Sequence, residues 1–417
     1  MVPLEHFSWL RTSERGLRQW CASASPGKGN RGGVEALMHY RRTPIEIESP
    51  EQLGYATIKQ NLAESSFADR RLADYGINGN VGELLLPYGD HLGSERLRAL
   101  IASEGHPLTP DDVLVTAGAA AALFIVATVL LEPGAHALVC APNYATNLET
   151  PRAIGAELET LNLRFEDGWR LDVEEVAKRL RPSTRLVSIT YPHNPTGSMI
   201  TSEELLALVQ LVEQHPSATL LVDETYRELA YDDVLPLATS LSPRVLAVSS
   251  MSKVYGLPGL RVGWLTCRDD ALRETLLAAK EQIFISGAVL DEELAARVLE
   301  RRGEILQVVH EVVGAHLALV RSWVEASDYF DWVEPHAGVV CFPRIRPDVE
   351  IDVDRFYGIL FQEYGTYVGP GHWFDQDRRF FRIGFGWPTK EELALGLETL
   401  EKAAARAAHA PAVPSGA

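Results

Sequence analysis

Six short apolar runs, at 113–116, 137–140, 186–190, 220–222, 245–248 and 262–266, constrain this chain more than any other feature. Their apolar residues stand at consecutive rather than alternate positions. That is the pattern of a strand buried on both faces. Amphipathic stretches such as 172–180 and 202–214 lie between several of them. Strands covered on both sides and alternating with helices predict an α/β fold, with a mostly parallel sheet flanked by helical layers. The alternation spans roughly residues 90 to 290.

The remainder of the 417 residues is too much for one simple core and predicts a second, smaller α/β domain. Residues 291–327 have apolar positions at helical spacing and would connect to it. The small domain would use 332–345, a helix near 354–364 and a strand at 380–385. The N-terminal segment is expected to pack against it, which makes that domain discontinuous. The expected organisation is therefore an arm and part of the small domain at 1–87, a large domain at 88–290, a connecting helix and small domain at 291–403, and a disordered tail at 404–417. Residues 1 to about 45 read as irregular, with a mobile Gly-, Ser- and Arg/Lys-rich loop at 23–33.

Composition excludes several partners. A net charge of −18 argues against nucleic acid and against anionic membrane, since both need a basic surface. The apolar stretch at 119–131 is too short to span a bilayer, and no signal peptide is read at the N-terminus. Cys21, Cys140, Cys267 and Cys341 are far apart without CxxC spacing, so no metal is expected. A reducing cytoplasm is the expected location.

The chemistry concentrates in SSMSKVYGLPGLRVGW, residues 249–264. Lys253 is the only lysine between Lys178 and Lys280 and follows an expected strand. In such a small-residue turn an amine can be desolvated and its pKa lowered, as a Schiff-base lysine requires. A bare lysine in this setting is more often a loop residue; its neighbours shift the balance. Asp223 ends the run ATLLVD, at the carboxyl end of a strand where α/β proteins bind ligands. It suits a pyridinium partner, or simply the cap of a following helix. Asn194 in YPHNPTG and Tyr226 are candidate donors to a ring oxygen. Ala119 and Ala120 open a helix after DVLVT, where free backbone N–H groups bind phosphate. Ser250, Ser252 and Arg261 would close that anion pocket. Tyr144 in PNYATN could stack on a ring or belong to the core. Arg382 in FFRIGFG is costly among apolar residues unless paired, either with a substrate carboxylate or with an acidic residue of the chain. Together these groups match what pyridoxal 5'-phosphate needs: an amine, a carboxylate, ring donors and an anion pocket.

The ordered set YGDHLG, VTAGAA, PNY, PHNPTG, DETY, SMSKVYGLPGLRVG and FRIGFG, from Tyr88 to Trp387, resembles the class I/II aminotransferases, fold-type I pyridoxal-phosphate enzymes. The resemblance implies that Lys253 forms the internal aldimine and later shuttles a proton, with Asp223 stabilising a quinonoid. It implies that Asn194 and Tyr226 bind O3′, and that Arg382 binds the carboxylate of an α-amino acid. It implies a homodimer in which Tyr88 reaches the neighbouring subunit's cofactor phosphate. Two departures stand out. Ala119 and Ala120 replace a hydroxyl residue that many relatives place at the phosphate helix. NLAESS, 61–66, stands where relatives often carry a glycine-containing loop. Glu64 in it would either start a helix or face a cationic substrate.

Two alternatives to plain transamination follow. PHNPTG and the 252–264 stretch also resemble capreomycidine synthases, which implies cyclisation, elimination, replacement or oxidation with the same cofactor. A transcription regulator with an aminotransferase-like domain would need a basic helix-turn-helix segment. The 87 residues before Tyr88 lack a clear one.

Overall fold

The computed structural model describes residues 38–77, 81–232 and 234–408. The loop expected at 23–33, Cys21 and the end of the tail lie outside the described residues. Strand β1 (Gln60–Leu62) belongs to a small sheet. Strands β2 (Val113–Thr116), β3 (His136–Ala141), β4 (Glu157–Asn162), β5 (Thr184–Thr190), β6 (Thr219–Asp223), β7 (Val245–Ser250) and β8 (Gly263–Thr266) form the large one. Their order is β2-β8-β7-β6-β5-β3-β4. Pairs among β3 to β7 are parallel, whereas β8 runs antiparallel to both β7 and β2. No crossover helix separates β7 from β8, so the chain turns back directly. That return loop carries Lys253.

Alternation along the strands sorts two apolar layers. Ala137, Leu186, Leu221, Leu246 and Leu265 pack on one face with the helices Ala119–Leu130 and Asp270–Ile283. Leu138, Val187, Leu220, Val222 and Val245 pack on the other with Val173–Arg179 and Ser202–Glu213. The α/β architecture expected from the runs is the one observed. Strand β4 was not expected: it lies at the sheet edge and is only partly buried, so it lacks the continuous apolar signal.

The small sheet has the order β1-β12-β13-β10, with β10 at Val340–Cys341, β12 at Thr366–Pro370 and β13 at Phe381–Gly384. Gln60 to Leu62 pair in parallel with Thr366 to Val368, joining the two ends of the chain. A ribbon of β9 (Phe330–Asp331) and β11 (Arg344–Ile345) flanks it. The helical stretch expected at 291–327 is two helices, Val289–Leu299 and Arg302–Ala326. The break falls where Arg301 reaches the Tyr75 carbonyl and Arg302 turns inward to Glu228. By length and composition Arg302–Ala326 is apolar enough to cross a bilayer. Here Val309, Val313, Leu317, Val320 and Val324 recur on one buried face, as in a core helix.

One expectation is corrected. Residues 404–408, expected in the disordered tail, belong to the helix Lys390–Ala408, which buries Ala403, Ala404 and Ala407 at helical spacing. The large and small sheets lie within one compact unit, from Met38 onward. A single apolar cluster runs from Val115 and Met251 of the large sheet to Leu62, Phe381 and Leu400 of the small one.

Candidate active site

Loops at the carboxyl ends of β2, β3, β5, β6 and β7 carry most of the polar residues singled out above, and they lie on the side where open α/β sheets bind ligands. β2 ends at Thr116, and Gly118 then caps the helix Ala119–Leu130 with φ +88°. The first N–H groups of that helix have no intrahelical acceptor. Arg261 lies against this helix start, donating to the Ala117 carbonyl at 3.3 Å and the Pro258 carbonyl at 2.9 Å. A Cβ on Gly118 would stand 2.6 Å from Arg261 Nη2, and one on Gly263 would stand 2.6 Å from the Ala119 nitrogen. The two glycines let the Arg261 loop and β8 approach the helix end. Ser250 is buried, and its Oγ accepts from the Ser252 N–H at 3.3 Å.

Lys253 Nζ donates to Ser65 Oγ at 2.9 Å, and the Tyr226 hydroxyl donates to the Ser65 carbonyl at 2.6 Å. Burial lowers the Lys253 pKa to about 8. The positive Arg382 adds to the shift, while Glu64 and Asp223 oppose it. Asp223 is buried at the end of β6, and burial raises its pKa. Its Oδ1 accepts from the Thr225 N–H at 3.1 Å and the Thr225 hydroxyl at 2.5 Å. Among the described residues no cation forms an ion pair with it.

Arg382 is 3% exposed on β13. Nη1 donates to Asn194 Oδ1 at 3.0 Å, Nη2 donates to the Ala63 carbonyl at 2.6 Å, and Nε has no partner. Burial lowers its pKa. Of the two partners anticipated for it, an acidic residue of the chain is not found among the described residues. A buried guanidinium without a carboxylate is expensive unless a ligand provides one.

Tyr144 caps the helix Ala145–Ile154 and lies within electrostatic range of both Asp223 and Arg261. Its N–H donates to Asn143 Oδ1, which also accepts from Asn147 and Thr190. His193 braces the neighbouring turn: Nε2 bonds the Pro142 carbonyl at 2.8 Å and Nδ1 bonds Thr196 Oγ1 at 2.7 Å. Burial depresses His193 to about 4, so it is neutral at pH 7, donating from Nε2 and accepting at Nδ1. Glu64 is half-buried, and its Oε1 accepts from the Tyr55 hydroxyl at 3.0 Å. It does not start a helix, for it lies in the loop just after β1. Tyr88, by contrast, is 83% exposed. Sequence reasoning missed Ser65, Thr225, Asn143 and His193. Ser65 alone carried a signal, since it adjoins Glu64.

The sequence profile of the aminotransferase class I and II family matches residues 69–400. The chain belongs to this aminotransferase family. It is 32% identical over 342 residues to capreomycidine synthase of Streptomyces vinaceus, covering 81% of this chain and 86% of that one. A PLP-dependent aminotransferase from Streptococcus suis 89-1591 superposes with a TM-score of 0.81 at 27% identity, covering 87% and 97% of the two chains. The PLP-dependent cyclase OrfR, solved in complex with Au, superposes with a TM-score of 0.80 at 25% identity, covering 89% and 100%. The protein is thus a fold-type I aminotransferase-family enzyme, and its cofactor is pyridoxal 5'-phosphate.

The residues present fit that group. Asp223 is a buried carboxylate without a cation, as a protonated pyridine nitrogen requires. The glycine cradle at Gly118 and Gly263 leaves backbone N–H groups and a guanidinium together for a phosphate. Ala119 and Ala120 contribute no side-chain donor there, so a phosphate would be held by backbone N–H groups, Arg261 and the serines.

Proposed function

We propose that this enzyme transaminates an α-amino acid, with Lys253 as the group that removes and returns the α-proton, in a cytoplasmic homodimer. The observation that carries this reading is that one site holds both Lys253, whose pKa burial lowers to about 8, and Arg382, a buried arginine lacking a carboxylate. Bound pyridoxal phosphate supplies the electron sink that makes the substrate α-proton removable.

The chain's own groups divide the remaining work. Arg382 has a free Nε and two Nη donors held by neutral oxygens, so an α-carboxylate can replace weak partners with charged ones. Lys253 Nζ is partly unprotonated near pH 8 and can accept a proton there, with Ser65 Oγ fixing its position. Asp223, oriented by Thr225, is the carboxylate that would keep the cofactor's ring nitrogen protonated. Asn194 and Tyr226 supply polar atoms beside Lys253 and Arg382. Leu85, Leu86 and Tyr88 are 80%, 66% and 83% exposed in one segment, which supports a second copy of the chain covering them.

The test is a single turnover of the holoenzyme with a panel of amino acids. Accumulation of pyridoxamine phosphate with release of the keto acid supports transamination. The likeness to capreomycidine synthase and to the cyclase OrfR favours a second reading, in which loss of the α-proton leads to cyclisation, elimination, replacement or oxidation. Substrate consumption with no pyridoxamine phosphate would select that reading. A cofactor that borohydride still fixes to the protein in Lys253→Ala would overturn the role of Lys253 in both.

A further inference from the structure

Two aromatic rings and two carboxylates stand together beside Lys253 and Arg382. Tyr55 stacks on Trp387 with centroids 6.1 Å apart and planes inclined by 12°. The polar tip of each ring serves one carboxylate. The Tyr55 hydroxyl donates to Glu64 Oε1 at 3.0 Å, and Trp387 Nε1 donates to Asp69 Oδ2 at 3.3 Å. Among the described residues no Lys, Arg or His forms an ion pair with either carboxylate.

Asp69 is exposed to solvent. Glu64 is half-buried, and its backbone is fixed on both sides. The carbonyl of Ala63 accepts from Arg382, Ser65 accepts from Lys253, and a Cβ on Gly384 would stand 1.6 Å from the Glu64 carbonyl oxygen. Glu64 therefore cannot swing away with its loop. Its negative charge acts on Lys253 and on Arg382 alike.

The site thus holds a buried cation without a carboxylate and, one residue from two of its anchors, a half-buried anion without a cation. A ligand complementary to both carries an α-carboxylate at one end and a positive charge at the other. A planar guanidinium matches the second half best, because its forked donors fit a carboxylate and its face stacks on an aromatic ring. An acidic side chain would meet repulsion, and a neutral one would leave Glu64 partly desolvated and unpaired. We propose that Glu64, held by Tyr55, determines specificity for an α-amino acid whose side chain ends in a guanidinium. This rests on the reading of Lys253 and Arg382 as an amino-acid site.

The test uses acids without an α-amine, so that binding is measured apart from turnover. Dissociation constants of 5-guanidinopentanoate and its neutral isostere 5-ureidopentanoate are measured on the holoenzyme by calorimetry. Wild type is expected to prefer the guanidino acid by about tenfold or more. Glu64→Gln brings the ratio close to one, whereas Glu64→Asp, which keeps the charge, retains part of the preference. No preference in wild type, or an unchanged ratio in Glu64→Gln, overturns the proposal. Ureido-acid binding that does not weaken in Arg382→Gln overturns instead the carboxylate site on which it rests.

Discussion

Arg382 and Asn194, 188 residues apart in sequence, are joined by a 3.0 Å hydrogen bond from Nη1 to Oδ1. The bond ties the small sheet to the turn after β5 and gives the guanidinium a neutral partner where a charged one would bind more strongly. Arg382→Gln keeps a donor for Asn194 and removes the charge. Steady-state kinetics should show kcat/KM falling roughly 100-fold or more, mostly through KM, as expected for one or two charge-assisted hydrogen bonds. An unchanged KM would mean that the substrate carboxylate binds elsewhere.

The Lys253 amine is held near pKa 8 chiefly by burial, with the Arg382 charge pushing it down and the Glu64 charge pushing it up. Only the neutral amine joins covalently to an aldehyde cofactor. The rate at which apoenzyme takes up pyridoxal phosphate should therefore rise with pH through about 8 and level off above it. Arg382→Gln removes a positive neighbour and moves that midpoint to higher pH. Glu64→Gln removes a negative one and moves it lower. Stopped-flow absorbance across pH 6.5 to 9.5 checks both signs, and midpoints that move in the same direction would refute this electrostatic account.

Much of this was legible because burial on both faces leaves a mark on the sequence. The six apolar runs are the strands β2, β3, β5, β6, β7 and β8; Asp223 ends β6, and Asn194 and Lys253 lie in the loops after β5 and β7. The pairing of β1 with β12 leaves no such mark, for it joins residues more than 300 positions apart. Ser65 owes its place to that pairing. Neither its contact with Lys253 nor that with Tyr226 has a local pattern. Strands of two residues such as β9 and β10 are too short to show any period.

The exposed segment with Leu85, Leu86 and Tyr88 predicts self-association. Val289 lies against Gly89, and the exposed Ile283, Ile285 and Leu290 extend the apolar surface from there. Sedimentation equilibrium should give a dimer. Leu86→Glu should shift it toward monomer and weaken cofactor binding at the same time, if Tyr88 serves the neighbouring site. A monomeric variant with unchanged cofactor affinity would separate the two ideas and discard the second.

Gly118→Ala tests the phosphate cradle. At φ +88° an alanine is strained by about 1–3 kcal/mol, and its Cβ would meet Arg261 Nη2 at 2.6 Å. Arg261 is exposed and can move, so the protein should still fold. Its displacement should raise the dissociation constant for pyridoxal phosphate by about tenfold or more while that for the phosphate-free pyridoxal changes little. Equal losses for the two would point to a general distortion of the helix start.

Glu224, next to Asp223, predicts a pH-dependent stability that has nothing to do with the cofactor. Its Oε1 accepts from the Ala238 N–H at 2.7 Å, while Oε2 is buried without a partner. Burial raises its pKa to about 7, against the opposing pull of Arg227. A carboxyl group raised in the folded state gives stability that is fully present below its ordinary pKa, near 4.5. That stability is lost as pH rises toward 7, because the unfolded chain ionises first. Glu224→Gln cannot ionise, and its amide oxygen can keep the Ala238 bond. The variant should match wild type near pH 4.5 and exceed it by about 1–3 kcal/mol at pH 8, since a tenfold change in acidity on folding is worth about 1.4 kcal/mol. Denaturant unfolding of both apoproteins at several pH values measures the difference directly. A gap that stays constant across that range would show that folding leaves the acidity of Glu224 unchanged.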